Sequence, residues 1–499
     1  MAQMDVAMYR RRAEEFLAVL DKEYYLHFSG QKKTCEFSAI YERYPELFTR
    51  DAVAGIKVHF EAAADEEKRR LATLLAFATE GFMSEQTKEL SDELANTESK
   101  ATVELDGEQV AFRYSSIMLA NEPDRARREH IQKARLEVVE QVLNPRHDTI
   151  WRQSHTIAGD LGYADYLSLF TETKGIDYPM LRAQTESFLQ DTESLYERVM
   201  ERLVRAKLGF SLAELRHADL PYLWRAPEYD AVFSAERLIP TFRRTLAGMG
   251  IDLAAQANVI VDAEARELKS PRAFCAPVRV PDEIYLVVMP KGGQDDYGAL
   301  LHEGGHTEHF AHAARDLPFE YRHLGDNAVT EGFAFIFDHL LVNPHWLETY
   351  LDYSESSDYR TFVNAMELYY LRRYAGKLTY ELELHKQTGS LDAMAAVYRR
   401  CLSEATMIDV PEVNYLTDVD DGFYCASYLR AWMLEGALRM ILQDRFGMEW
   451  FQDKAAVDWL AALWAHGQRY SADQLLLKSG GGRLDCDPLR HHFERAFAR

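Results

Sequence analysis

The chain has 499 residues, 47% of them hydrophobic, which is enough for a large core, and its 80 acidic residues against 57 Lys plus Arg give a formal net charge of −23. That excess repels nucleic acid and anionic membranes. No run of about 18 apolar residues offers a membrane span, and the start MAQMDVAMYRRR lacks the apolar run of a secretory signal, so a soluble cytoplasmic protein with no nucleic-acid or membrane partner is expected.

In chain order, RRAEEFLAVLDKEYYLHF begins a series of segments with the apolar spacing of amphipathic helices. TVELDGEQVAFRY interrupts the series: two alternating segments flank Asp106-Gly107, a pair suited to the positive φ of a tight turn, and predict a β-hairpin over 102–114. MLRAQTESFLQDTESLYERVMERLVRAKL returns to helix. KSPRAFCAPVRVPDEIYLVVMPKGGQDD does not, because Pro271, Pro277, Pro281 and Pro290 exclude a continuous helix and 284–289 is an apolar, β-prone run. A short strand is therefore expected just before residue 296. TFVNAMELYYLRRYAGKLTYELELHKQ is helical again. The fold class is mainly α, and without repeats or Gly/Ser-rich linkers residues 1–499 read as one unit, with an N-terminal part over 1–200 and a second part over 201–499. Five widely spaced cysteines, Cys35, Cys275, Cys401, Cys425 and Cys486, have no metal-finger or redox spacing and read as buried thiols.

The run DYGALLHEGGHTEHFAHAA has helical character and contains HEGGH at 302–306. On a helix, i and i+4 share a face, so His302 and His306 project side by side and can bind one zinc ion. Glu303 then lies beside the metal, where a carboxylate can take a proton from the attacking water and give it to a leaving amine. A bare HExxH arises by chance, so a third ligand is the test. Downstream, LGDNAVTEGFAFIFDHLL reads as a turn followed by an apolar helix, and Glu331 is a charge near its start that is costly to bury unless paired or bound to metal. Asp326 competes, but an aspartate in LGDNAVTE is a natural turn or cap residue; helix placement favours Glu331. Gly304 and Gly305 weaken a helix by about 1 kcal/mol each relative to Ala, which calls for close packing or for room for a neighbouring backbone or bound peptide.

These residues resemble zinc oligopeptidases of the thimet oligopeptidase and oligoendopeptidase F type and, more distantly, peptidyl-dipeptidases of the angiotensin-converting-enzyme type. The resemblance is carried by HEGGH, by Glu331 at 25 residues after His306, by KSPRAFCAPVRVPDEIYLVVMP upstream and by DGFYCASYLRAWMLEGALRM downstream. It implies a large helical two-lobed fold enclosing a channel with a small β element near the site, one Zn2+ on His302, His306 and Glu331, and hydrolysis of short peptides. It matches Tyr424 first, and Tyr428 second, to the tyrosine that hydrogen-bonds the tetrahedral oxyanion; packed aromatics are the plainer reading of the pair. The chain departs from its relatives in two places. TDVDDGFY stands where a histidine often precedes the tyrosine helix, and Phe335 stands four residues after the third ligand, where the converting-enzyme type has an aspartate. Asp326 or Asp338 is then expected to orient a ligand imidazole, and a zinc- or peptide-binding scaffold without turnover is the alternative function. His309, His312, His323 and His339 read as partly exposed helix residues, and Arg279, Lys291, Arg322 and Arg430 as cations near enough in sequence to meet a peptide carboxylate.

Overall fold

Helical periodicity in the sequence becomes helix over most of the chain in the computed structural model, which describes residues 4–387 and 389–498. The elements used below are, in chain order, helix α1 (Val6–Phe28), strands β1 (Thr102–Leu105) and β2 (Glu108–Ala111), helices α2 (Tyr178–Asp191), α3 (Glu193–Leu208) and α4 (Ala235–Gly248), strands β3 (Val259–Asp262), β4 (Phe274–Arg279) and β5 (Glu283–Val287), and helices α5 (Gln294–Ala311), α6 (Asn327–Asp338), α7 (Ser357–Leu384) and α8 (Tyr424–Phe446). No described helix is long and apolar enough to cross a membrane. The chain divides into two compact units: residues 1–79, 227–360 and 427–492 form the first, and 80–226, 361–426 and 493–499 the second.

The first unit holds a three-stranded sheet of order β3-β5-β4, with β3 parallel and β4 antiparallel to β5. Helix α1 lies against it: Tyr25 joins Phe274, Ala276, Val278, Tyr285 and Val287 in one buried cluster, and the Tyr25 and Tyr285 rings stack at 3.7 Å. The apolar run at 284–289 is the central strand of this sheet, so both its faces are covered, as its unbroken hydrophobicity requires. The two other strands escape sequence reading. β4 contains Pro277, tolerated because β4 is an edge strand, and β3 is only four residues long.

The second unit contains the expected hairpin, with Asp106 at φ 55° and Gly107 at φ 84°. Its boundary needs correcting. Strand pairing ends at Ala111, and Phe112 opens a helix to Asn121. Phe112, Ser115 and Leu119 are its buried residues, at helical intervals of three and four that outweigh the local alternation. Similarly, the long pattern over 180–208 is two helices, α2 and α3, separated at Thr192. Two cysteines are buried as expected, Cys401 and Cys425, but Cys35 is exposed and Cys275 and Cys486 are part-exposed.

Candidate metal centre

Helices α5 and α6 build the site, and their close approach is a consequence of glycine. A Cβ on Gly305 would lie 2.6 Å from Ala334 Cα and 3.0 Å from the Phe333 carbonyl oxygen of α6. One on Gly304 would meet the Phe242 ring of α4 at 2.4 Å. The two glycines of HEGGH therefore serve helix packing on both sides. Asp326 caps α6 by accepting from the Ala328 N–H at 3.0 Å, and it is ion-paired to Arg430 at 2.7 Å. That double engagement removes Asp326 as a ligand competitor.

From this cap, residues 331, 335 and 338 of α6 share one face at helical spacing. Glu331, 6% exposed, brings Oε2 to 3.3 Å from His302 Nε2 and 3.7 Å from His306 Nε2. The two Nε2 atoms are 3.2 Å apart. Phe335 sets its ring 5.4 Å from the His302 ring, and Asp338 Oδ2 lies 3.0 Å from His302 Nδ1. Thr330 Oγ1 does the same for His306 Nδ1 at 2.8 Å. With each Nδ1 engaged by an outer partner, both Nε2 atoms face inward beside a carboxylate oxygen, an arrangement that a cation stabilises. Ligands about 2.0–2.1 Å from a tetrahedral zinc stand roughly 3.4 Å apart, close to the spacings found here. The donor set fits zinc.

Electrostatics follow from this crowding. Burial disfavours the charged form of His302, but the Asp338 and Glu331 carboxylates outweigh it and raise its pKa well above the ordinary histidine value. Burial likewise opposes ionisation of Glu331, and the two histidines overcome it, holding the carboxyl well below the usual range. Glu303 goes the other way: burial raises its pKa, opposed by His306, His302 and the Cys275 N–H. That N–H, on edge strand β4, donates to Glu303 Oε2 at 2.8 Å and so fixes the carboxylate's orientation.

Of the predicted site residues, His302, Glu303, His306 and Glu331 are brought together. Tyr428 belongs to the same unit, with its ring centroid 5.9 Å from Phe335 and 5.9 Å from Trp432. Tyr424 belongs to the second unit, at the first position of α8. Sequence reading missed Thr330 and Trp432. Trp432 had a signal, its i+4 spacing from Tyr428; Thr330 had none beyond adjacency to Glu331. His309 is fully buried, contrary to expectation; its pKa is pushed down to about 3, chiefly by burial. Arg430 is tied to Asp326 and Asp473, Arg322 to Glu14 and Arg279 to Glu283, so each of these cations already has a carboxylate partner.

The acidic stretch before α8 also has an explanation, within the second unit. Arg373, Lys377 and Glu381 are spaced by four on α7 and hold it: Arg373 and Lys377 pair with Asp418, Lys377 with Asp420 at 2.7 Å, and Glu381 accepts from the Asp420 N–H at 2.8 Å and from the Cys425 thiol at 3.1 Å.

Fold comparison defines the class of architecture, that of the helical oligoendopeptidases. A Bacillus anthracis str. Ames protein assigned as oligoendopeptidase F superposes with a TM-score of 0.67 at 13% identity, covering 97% of this chain and 89% of that one. A second oligoendopeptidase F structure gives 0.66 at 15% identity, with 97% and 90% coverage, and PZ peptidase A with an inhibitor gives 0.68 at 14%, with 97% and 90%. No protein-family model matches the sequence, and no curated protein is significantly similar to it. The likeness read from the sequence is thus matched by a shared, mainly α fold over nearly the whole chain.

Proposed function

We propose that this chain is a zinc-dependent peptidase that hydrolyses short peptides, with residues 1–499 acting as one catalytic unit. The observation that carries the reading is the convergence of His302 Nε2, His306 Nε2 and Glu331 Oε2 within 3.7 Å of one another, on a fold shared with oligoendopeptidases. Zinc, when bound, acidifies a water and polarises the scissile carbonyl. The rest is the work of this chain's side chains. His302 and His306 are held in one ring orientation by Asp338 and Thr330, which keeps both Nε2 lone pairs directed inward. Glu303 takes the proton from the attacking water and delivers it to the leaving nitrogen. The Cys275 N–H occupies Oε2 and leaves Oε1 for that transfer. A Tyr424 or Tyr428 hydroxyl donates to the oxyanion as the carbonyl becomes tetrahedral.

Metal analysis combined with a quenched-fluorescent peptide library tests the reading. Stoichiometric zinc and cleavage of short peptides are expected, and Glu303→Gln should keep zinc while turnover falls about 10²–10⁴-fold. Full activity in that variant would remove the role of Glu303. Stoichiometric zinc with no cleavage of any peptide would favour a binding scaffold instead; one motive for that alternative, the loss of an aspartate at position 335, is weakened by Asp338, which supplies the carboxylate one turn later.

A further inference from the structure

Helix α1 carries four acidic residues, Glu14, Glu15, Asp21 and Glu23. Three of them have a cation: Glu14 pairs with Arg322 at 2.5 Å, Glu15 with Arg12 at 3.0 Å and Glu23 with Lys32 at 2.7 Å. Asp21 does not. Among the described residues none donates a hydrogen bond to it or pairs with it, and Lys22 beside it turns to Glu283 at 2.9 Å. Burial alone pushes the Asp21 carboxyl up to about 7, as expected of a charge withdrawn from water without compensation. The side chain is nevertheless part-exposed, so a ligand can reach it.

Its place in the first unit ties it to the metal centre. Asp21, Tyr24, Tyr25 and Phe28 follow at helical intervals and share one face of α1. That face lies on β4: the Tyr24 and Phe28 rings stand 5.2 and 6.4 Å from the Phe274 ring, and Tyr25 belongs to the Phe274 cluster. Cys275, the next residue of β4, gives its N–H to Glu303. The Tyr24 phenol and the Cys275 thiol are both raised, first by burial and further by the charges of Glu303 and Asp21. Two carboxylates therefore neighbour the same two groups; Glu303 has a partner in the Cys275 N–H and Asp21 has none.

We propose that Asp21 binds a cationic group of the peptide substrate, its α-ammonium or a lysine or arginine side chain, and so selects for positive charge. The proposal rests on the peptidase reading above. A bound ammonium or guanidinium supplies the counter-charge and hydrogen bonds that the fold withholds from this carboxylate, and the Tyr24 ring, 39% exposed, offers the same cation a π face. A neutral group there leaves Asp21 uncompensated, and an acidic one adds a like charge.

The test uses zinc-loaded full-length protein and unlabelled short peptides, with a single Arg or citrulline moved through the sequence and the N-terminus free or acetylated; cleavage is read by mass spectrometry. At one position, or at the free N-terminus, the cationic peptide is expected to exceed its neutral counterpart in kcat/KM by about tenfold. Acetylation erasing that ratio identifies the α-ammonium, and citrulline erasing it identifies the side chain. Asp21→Asn should bring the ratio near unity and leave the rate on neutral peptides within about threefold, while Asp21→Glu retains a preference. Zinc content and circular dichroism show that both variants fold. A calorimetric arm measures binding of the same peptides to Glu303→Gln with and without Asp21→Asn. Cleavage with no preference for charge, a ratio unchanged in Asp21→Asn, or an equal loss on all peptides in that variant overturns the cation site and leaves the peptidase reading intact. Absence of cleavage together with an Asp21-dependent preference in binding supports the cation site and overturns the peptidase reading. Neither cleavage nor binding overturns both.

Discussion

The cluster of His302, His306 and Glu331 in the first unit and that of Glu381, Asp420 and Cys425 in the second both bring ligand-type atoms within 4.8 Å of one another, yet they are built on opposite principles. In the first, the donors face inward and their supports, Asp338 and Thr330, stand outside. In the second, Lys377 Nζ stands 2.7 Å from Asp420 and 3.3 Å from Asp418, and Arg373 completes the pairing. Two cations therefore meet Asp418 and Asp420, and burial raises the pKa of the third carboxyl, Glu381, to about 8. Proximity of donors alone does not define a metal centre. What distinguishes the two is whether the protein supplies its own cation.

The largest expected contrast is in metal content. Glu331→Ala should lose stoichiometric zinc and all peptidase activity, whereas Glu381→Ala should keep zinc at the level of the unmodified protein; elemental analysis after gel filtration reads both. Equal zinc loss in the two variants would dissolve the distinction. Next in size is Lys377→Met, which leaves Asp418 and Asp420 short of a buried cation. Breaking a buried pair from one side costs about 3–5 kcal/mol, so a denaturant titration should show a loss of that order with zinc content unaffected. A loss below about 1 kcal/mol would mean that the lysine is not the cluster's counter-charge.

How much of this was legible in the sequence differs between the same two regions. The metal centre was readable because its logic is local: i,i+4 on one helix for His302 and His306, and a charge stranded in an apolar helix for Glu331. Asp326 was readable as a cap for the same reason. The cluster on α7 was not, because Arg373, Lys377 and Glu381 sit in a run of ordinary helical charges and gain their meaning only from a loop about 40 residues further on. The sheet shows the same limit, since β5 announced itself by six consecutive apolar residues while β4, interrupted by Pro277, did not. Sequence periodicity reports burial along an element and is silent on which distant element does the burying.

Within the metal centre, Asp338 sharpens the comparison at smaller amplitude, because it acts from outside the donor set. Asp338→Asn keeps the shape and removes the carboxylate charge at His302 Nδ1; outer partners of this kind are typically worth about 10–100-fold in metal affinity or activity. Zinc competition with a chromophoric chelator should show a weakening in that range, and a change below about threefold would assign His302's orientation to packing against Phe335 instead.

The second cluster makes the final prediction, a dependence of stability on pH. The folded-state pKa of Glu381, about 8 through burial, lies above the ordinary glutamate value of 4.5. The folded state therefore binds the proton more tightly than the unfolded chain, so the contribution to stability is complete below about pH 4.5 and is lost as pH rises through about 8. One proton linked in this way changes stability by at most about 1.4 kcal/mol per pH unit. Glu381→Gln, neutral at every pH, should flatten the slope between pH 5.5 and 8.5 in denaturant midpoints compared with the unmodified chain. Parallel slopes in the two proteins would show that Glu381 is ionised in the folded state, with Lys377 compensating all three carboxylates.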